Sequence, residues 1–525
     1  MCAARSGRSG TMKKQALMVL GTASDSGKSI TVAALCRILR QDGFDVAPFK
    51  AQNMALNSFA TREGHEIGRA QAMQAQAAGI EPHVDMNPIL LKPTSDVGSQ
   101  VILNGKVFGN YKGIDYYKLR PQLIEAVRTA YHRLAAQHEI IVLEGAGSPV
   151  EMNLKDRDVV NMKMAEIADA ACLLVADIDR GGVFASLIGT YTLFEPEERA
   201  RFCGFLINKF RGDASLFTPG IDFLENRLSQ SCIGVIPFMH NHGIDDEDSV
   251  ALERRARKPG QVDPDTLQVC VVGLPYMSNF TDFTALESQP GVFVYYTRQP
   301  EDARRADLIV LPGSKNTIPD LLWLKGNGFE PTIKSHAAAG KPIVGICGGF
   351  QMLGREVRDP YHTESDVEVV SGLNLVNVTT VLAREKVTRQ ATARLCSAVG
   401  FVSGAIDPTF TGYEIHLGDT VLGDDIQPLF RLQRLDDDET HNDGVINDNG
   451  SIIGTYLHGL FDSAEGLSVL LSHWRRLCGK KESESAIIDP VLERERRYDA
   501  LADHYRRNVK MDIIYRALGI SPRKA

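Results

Sequence analysis

Short, continuous apolar runs recur along this chain, each followed by a stretch long enough for a helix. In the first half they fall at 16–20, 45–49, 140–143, 172–176 and 205–208. A strand that is apolar along its whole length, without polar alternation, must be covered on both faces. Helices between such strands complete βαβ units, so the pattern predicts a doubly wound parallel α/β sheet. The same texture restarts at 269–274, 292–296, 307–311 and 342–346, which predicts a second sheet of the same kind. At 525 residues the chain exceeds what one core ordinarily serves. Between the two series lies a charged, breaker-rich stretch. The expected division is a disordered extension at 1–12, a nucleotide-dependent domain at 13–240 and a linker at 241–266. A second α/β domain at 267–480 and a helical, charged C-terminal segment at 481–525 complete it.

The first run leads into Gly21-Thr22-Ala23-Ser24-Asp25-Ser26-Gly27-Lys28-Ser29 and then into a helical pattern. Strand, glycine-bearing loop, Gly-Lys-Ser and helix together aim backbone N–H groups and a helix N-terminus at phosphates. Thr22, Ser26, Gly27, Lys28 and Ser29 form the expected ATP-binding set. Lys28 would neutralise phosphate charge and Ser29 would ligate Mg2+. Five residues separate Gly21 from Gly27 where the usual loop has four, a spacing that resembles the dethiobiotin-synthetase-like branch of P-loop enzymes. Glu144 ends the strand at 140–143, on the sheet edge where α/β ligands bind, and is the candidate acidic partner of Mg2+. Asp177 is a poorer candidate. Lys50, Gln52 and Asn53 follow the second strand and are the candidate substrate-binding groups.

The run at 342–346 ends in Gly345-Ile346-Cys347-Gly348-Gly349-Phe350-Gln351-Met352-Leu353-Gly354. Small residues on both sides permit the sharp strand-to-helix turn that lifts a nucleophile into the open. The Gly348 N–H, with one from around Gly313 on the neighbouring loop, would form an oxyanion hole. A thiol nucleophile needs a base. His458, in Gly454-Thr455-Tyr456-Leu457-His458-Gly459-Leu460-Phe461-Asp462, is the first candidate, and His416 is its competitor.

Composition narrows the class. Hydrophobic residues at 43% and charged residues at 24% are those of a soluble globular protein. A formal charge of −8 with no basic domain argues against a nucleic-acid partner. No apolar run is long enough to cross a bilayer, and the basic first ten residues lack the apolar core of a secretory signal. Nine scattered cysteines without a CxxC pair suit reduced thiols and a cytoplasmic location, with neither a disulfide framework nor a zinc site.

The Cys347 segment with the later Tyr456-Leu457-His458-Gly459 resembles class I glutamine amidotransferase domains of the cobyrinate-amidating subgroup. Phe49-Lys50-Ala51-Gln52-Asn53-Met54-Ala55-Leu56-Asn57-Ser58, Asn87-Pro88-Ile89-Leu90-Leu91-Lys92-Pro93, Gly98-Ser99-Gln100-Val101-Ile102 and Asp179-Arg180-Gly181-Gly182-Val183-Phe184 extend the likeness. With them the chain resembles the cobyric acid synthase family over nearly its whole length. The resemblance implies ATP- and glutamine-dependent amidation of the b, d, e and g carboxylates of adenosylcobyrinic acid a,c-diamide. The corrinoid would be substrate, and ammonia would travel a sheltered path between the domains. Ordinary class I amidotransferases carry a Glu two residues after the catalytic His; Leu460 stands there in this sequence, as the resemblance to the cobyrinate subgroup implies, and Asp462 or a backbone carbonyl is the expected orienter of His458. The competing readings are cobyrinic acid a,c-diamide synthase and a partition-type P-loop ATPase with an inert Cys domain.

Overall fold

The computed structural model describes residues 15–94, 98–239, 243–244, 262–396, 408–437 and 439–523. The extension at 1–12 and most of the linker at 241–266 lie outside the described residues. The first sheet has six strands in the order Cys232–Pro237, Phe202–Phe210, Ala171–Asp177, Gln15–Gly21, Ile140–Glu144 and Val46–Phe49. All of its pairings are parallel. Leu17, Val19, Val142 and Leu173 are buried on one face, and Met18, Leu20, Leu143 and Leu174 on the other. Burial on both faces is what the continuous apolar runs require.

One of those faces is closed from a distance in sequence. The helix Pro490–Asn508 packs on the helix Lys28–Gln41 and carries Tyr498, Leu501, Ala502 and Tyr505 into the same core as Val32 and Leu35. Tyr505 Oη lies 3.0 Å from Thr31 Oγ1. Around this seam Arg37 binds Glu495 at 2.9 Å and Asp499 at 2.8 Å. The charges of the C-terminal segment flank a buried stripe.

The second sheet runs in the order Val292–Thr297, Leu267–Val272, Leu308–Leu311, Ile343–Ile346, Ile452–Thr455 and Val445–Ile446. Its first five strands are parallel and the last is antiparallel. Against it stands a seven-stranded, mainly antiparallel sheet built on the long strands Val378–Leu395 and Thr409–Leu422. The chain leaves the parallel sheet at Thr455 and joins the antiparallel one at Leu457–His458, where His458 pairs with Tyr413.

The two units meet through the small hairpin of Ser58–Ala60 and Glu66–Gly68. It belongs to the first unit and lies against the long strands of the second: Phe59 and Tyr413 have ring centroids 5.1 Å apart. Behind it Glu66, 1% exposed, is gripped by Lys92 at 2.8 Å and by Lys386 of the second unit at 2.6 Å. Burial drives the Glu66 carboxyl up, but the two ammonium groups outweigh it and hold it well below the usual carboxylate range. Burial also pulls Lys92 down to about 8, despite Glu66. Removing the shared anion leaves buried cations facing each other. Glu66→Gln is therefore expected to destabilise the protein by roughly 3–5 kcal/mol, read as a lower urea midpoint. An unchanged midpoint would show that this cluster is not part of what holds the units together.

Candidate active site

Two sets of functional side chains stand at the C-terminal edges of the two parallel sheets, where strand ends and helix starts leave room for ligands. In the first, Gly27 precedes the helix Lys28–Gln41 with φ of 97°, in the left-handed region, and no side chain caps that helix. The open N–H groups of the first turn thus face the loop. A Cβ at Gly27 would sit 2.0 Å from Asn208 Nδ2, and Asn208 donates to the Ser26 carbonyl at 2.9 Å. Ser26 Oγ is buried with no partner. A loop that packs a hydroxyl inward, leaves it unsatisfied and keeps a helix end uncapped fits a phosphate-bearing ligand. Lys28 Nζ curls back over the loop to the carbonyls of Ala23 at 2.9 Å and Gly147 at 3.1 Å. Thr22 is held through its N–H to Val175 at 3.0 Å.

Glu144 is the hub of this site. Its Oε1 accepts from Ser29 Oγ at 2.8 Å and from Lys50 Nζ at 2.9 Å, and its other oxygen accepts from Gln74. Magnesium takes hard oxygen ligands, commonly one carboxylate with hydroxyl, water and phosphate oxygens. Ser29 and Glu144 offer such a pair, so the residues fit the ion, provided the Lys50 ammonium leaves the shared oxygen. Asp177 is committed elsewhere, to Lys209 at 2.9 Å. Of the three candidate substrate groups, only Lys50 reaches this cluster among the described contacts. Gln52 accepts from Tyr116, and Asn53 donates to Gln71 at 3.0 Å.

In the second unit Cys347 stands between the strand Ile343–Ile346 and the helix Gly348–Leu353 with φ of 51° and ψ of −110°. A non-glycine residue there is strained, of order 1–3 kcal/mol, and persists because its surroundings over-determine it. The elbow is pressed so closely on the neighbouring strand that a Cβ at Gly349 would lie 2.0 Å from the Leu311 carbonyl. Cys347 N–H donates to the Thr455 carbonyl at 2.8 Å, three residues before His458. A Cβ at Gly313 would be 3.3 Å from His458 Cε1, and one at Gly348 would be 2.9 Å from Ser314 N. Gly313, Gly348, Cys347 and His458 therefore converge. His416 does not join them. Its ring nitrogens face the Gly418 carbonyl at 2.8 Å and Glu414 at 3.3 Å, and its ring stacks on Tyr456.

The orienter of His458 is Asp282, from the 3-10 turn Phe280–Phe283. Its Oδ2 lies 2.7 Å from His458 Nδ1, and its Oδ1 accepts the Gly459 N–H at 3.2 Å. Asp462 turns away toward Arg494, 3.8 Å distant. Burial pushes His458 down, but Asp282, followed by Cys347, overrides it and raises the ring to about 10. The imidazole therefore keeps a proton on the Asp282 side and attracts another toward the thiol. Leu460, at the position where the usual Glu stands, is fully buried. Asp282 is 176 residues from His458 in sequence. The signal for it was the polar stretch Ser278-Asn279-Phe280-Thr281-Asp282, which follows a predicted strand at a ligand-binding sheet edge.

Two family models match the chain. Residues 17–247 match the CobQ/CobB/MinD/ParA nucleotide binding domain, and residues 268–466 match the CobB/CobQ-like glutamine amidotransferase domain. The cobyric acid synthase of Syntrophobacter fumaroxidans is 48% identical over 96% of this chain and 98% of its own length. That of Clostridium botulinum strain Loch Maree is 44% identical over 96% of this chain and 99% of its own. That of Photorhabdus laumondii is 46% identical over 96% and 98% respectively. The chain belongs to the cobyric acid synthase family, a family of glutamine-dependent amide-forming ligases.

Proposed function

We propose that this protein amidates the b, d, e and g side-chain carboxylates of adenosylcobyrinic acid a,c-diamide, giving adenosylcobyric acid, with ATP and glutamine. The observation that carries this reading is the joining of a phosphate loop and a Cys347–His458–Asp282 constellation in one chain whose relatives bear that name.

A carboxylate is a poor electrophile, so it first attacks the γ-phosphorus of ATP and forms an acyl phosphate, releasing ADP. Lys28 and the loop N–H groups stabilise the transferring phosphoryl group. Ser29 and Glu144 would hold Mg2+, which supplies further neutralisation of phosphate charge. Lys50, released from Glu144, turns to the same phosphate or to the substrate carboxylate. In the second unit the Cys347 sulfur attacks the glutamine carboxamide carbon while His458 takes the thiol proton. The N–H groups of Gly348 and the Gly313 loop receive the oxyanion. His458 then protonates the departing nitrogen, ammonia leaves, and water hydrolyses the thioester to glutamate and free thiol. Ammonia attacks the acyl phosphate, and phosphate departs as the amide forms. The hairpin at Ser58–Gly68 lies between the two sites and suits a path closed to bulk water, which would protonate the ammonia.

Mass spectrometry of the corrinoid after incubation with purified enzyme, ATP, Mg2+ and glutamine tests the proposal. Four successive exchanges of a carboxyl OH for NH2 are expected. An unchanged substrate mass would sink the reading, and a substrate that begins as cobyrinic acid and stops after two exchanges would favour the diamide synthase.

A further inference from the structure

Beside the Gly313 loop stands a buried carboxyl group that the mechanism above does not use. Asp320 is fully buried in the first turn of the helix Thr317–Gly326. Its Oδ2 accepts from Ser314 Oγ at 2.5 Å, and its Oδ1 accepts the Tyr276 N–H at 3.1 Å. One side chain thus joins the loop after the strand Leu308–Leu311 to the segment that leads into Asp282. Ser314 Oγ in turn accepts the Asn316 N–H at 3.1 Å. The Lys315 N–H goes to the Tyr276 carbonyl at 2.9 Å, and the Thr317 N–H to Glu364 at 2.7 Å. Among the described residues the N–H groups of Gly313 and Ser314 find no such acceptor. Backbone donors left open inside a fold mark a place for a ligand. These two stand beside the elbow: a Cβ at Gly348 would lie 2.9 Å from Ser314 N, and one at Gly313 would lie 3.3 Å from His458 Cε1.

We infer that Asp320 is a positioning residue of the glutaminase, whose carboxylate holds the Ser314 hydroxyl, and through it the Gly313 loop, in the arrangement that leaves two N–H groups open to the oxyanion. The inference rests on the glutaminase reading above. The bonds are directional. The Tyr276 N–H can only donate, and the Ser314 hydroxyl can serve Asp320 as a donor only while Oδ2 is free to accept. Burial pushes the Asp320 carboxyl up to about 7, against the pull of the Ser314 and Tyr276 donors. The charged groups that face it are Glu364, which raises it further, and Arg298, which lowers it. Once protonated, the carboxyl must present its proton to Ser314, because the Tyr276 side holds a donor. Ser314 Oγ then receives that proton as well as the Asn316 N–H, and its own proton loses its acceptor. The loop is held in the working arrangement only by the ionised form.

The test is Asp320→Asn in the full-length protein. The amide keeps the shape, turns its oxygen to Tyr276 and its NH2 to Ser314, and so fixes the protonated arrangement at every pH. A displacement of about 1 Å at a reacting group costs about 10²-fold, and kcat for glutamine hydrolysis is expected to fall by that factor with KM little moved. Alkylation of Cys347 by iodoacetamide, followed at that residue by mass spectrometry, displaces iodide from a saturated carbon and forms no oxyanion. Its rate reports the thiol and His458 without the loop, and is expected to stay at the wild-type value. The wild-type kcat should climb through about 7, and that of the variant should not. His458, at about 10, titrates elsewhere. Asp443, which burial raises to about 6 where it accepts the Tyr456 N–H, would leave a limb that the variant keeps. On the alkaline side the amide also removes a buried charge, so the thermal midpoint should hold or rise, whereas loss of a merely structural residue would lower it. Ser314→Ala breaks the same bond from its other end. The double variant should be no slower than the slower single one. Parallel loss of alkylation and hydrolysis, a limb through about 7 that Asp320→Asn retains, or additive losses in the double variant would overturn the assignment. Absence of any Cys347-dependent glutamine hydrolysis in the wild type would overturn the reading beneath it as well.

Discussion

Cys347→Ser is expected to abolish glutamine-supported amidation while leaving amidation with ammonium chloride and ATP intact. Serine at this elbow keeps the strained backbone and nearly the volume but replaces a sulfur nucleophile with a hydroxyl, which is far less acidic and a much weaker nucleophile. Loss of a covalent nucleophile in an enzyme that acts as a unit costs on the order of 10⁴-fold or more in kcat. On the proposed mechanism the ammonia-dependent reaction uses only the Glu144, Lys28 and Lys50 end of the molecule, so its rate would measure whether the first unit is still sound. Parallel assays of glutamate release and of amide formed from ammonium salt make the check. Equal loss of both activities would contradict two separable sites.

Asp282→Asn carries the second large effect. Asn can still accept from Nδ1–H through its oxygen, but it removes the charge that overrides burial and holds His458 at about 10. Its NH2 can also face Nδ1 and fix the wrong tautomer. The corresponding change in serine proteases costs about 10⁴-fold, and a glutaminase kcat lower by roughly 10³–10⁴-fold is expected here. The same substitution changes the pH dependence of stability. A histidine whose folded pKa is raised contributes stability that is fully present below its unfolded value of about 6.5 and is lost as pH rises through the folded value. The wild type should therefore lose this contribution progressively from about 6.5 to about 10, and the variant should not. Glutaminase rates and thermal unfolding across that interval measure both. Asp462→Asn, which touches Arg494 and not the ring, serves as the control.

The residues that could be read from sequence were those whose chemistry is local. At Cys347 the glycines, the strand and the helix stand within ten positions, and at Lys28 the loop is bounded by its own strand and helix. Each continuous apolar run became a strand of a parallel sheet, because burial on both faces leaves no alternation to confuse. The long strands Val378–Leu395 and Thr409–Leu422 escaped for the converse reason. The first alternates buried and half-exposed positions over its opening residues, and the buried middle of the second, Gly412-Tyr413-Glu414-Ile415-His416, mixes polar with apolar residues, so no continuous apolar run marks either. Near His458 in sequence stand only Asp462 and backbone carbonyls as expected orienters, whereas the ion pair with Asp282 closes across 176 residues. Gln52 and Asn53 follow a strand at the ligand edge; Gln52 accepts from Tyr116 and Asn53 donates to Gln71. The charged composition of 481–525 hid the buried stripe of Tyr498, Leu501, Ala502 and Tyr505, because a helix buries one face whatever its average polarity.

That stripe has a consequence for how the polypeptide is wired. The P-loop helix is covered by residues near the opposite end of the chain, so the ATP-handling unit is assembled from two separate lengths of sequence with the glutamine-handling unit inserted between them. A fragment ending before the linker would present Val32, Leu35 and Leu39 to water where Leu501 and Tyr505 now cover them. Both ends of the insert are thereby tethered to the same body. Its freedom to drift is that of a closed loop held at two points, and the distance between Glu144 and Cys347 is bounded by the wiring as well as by the interface.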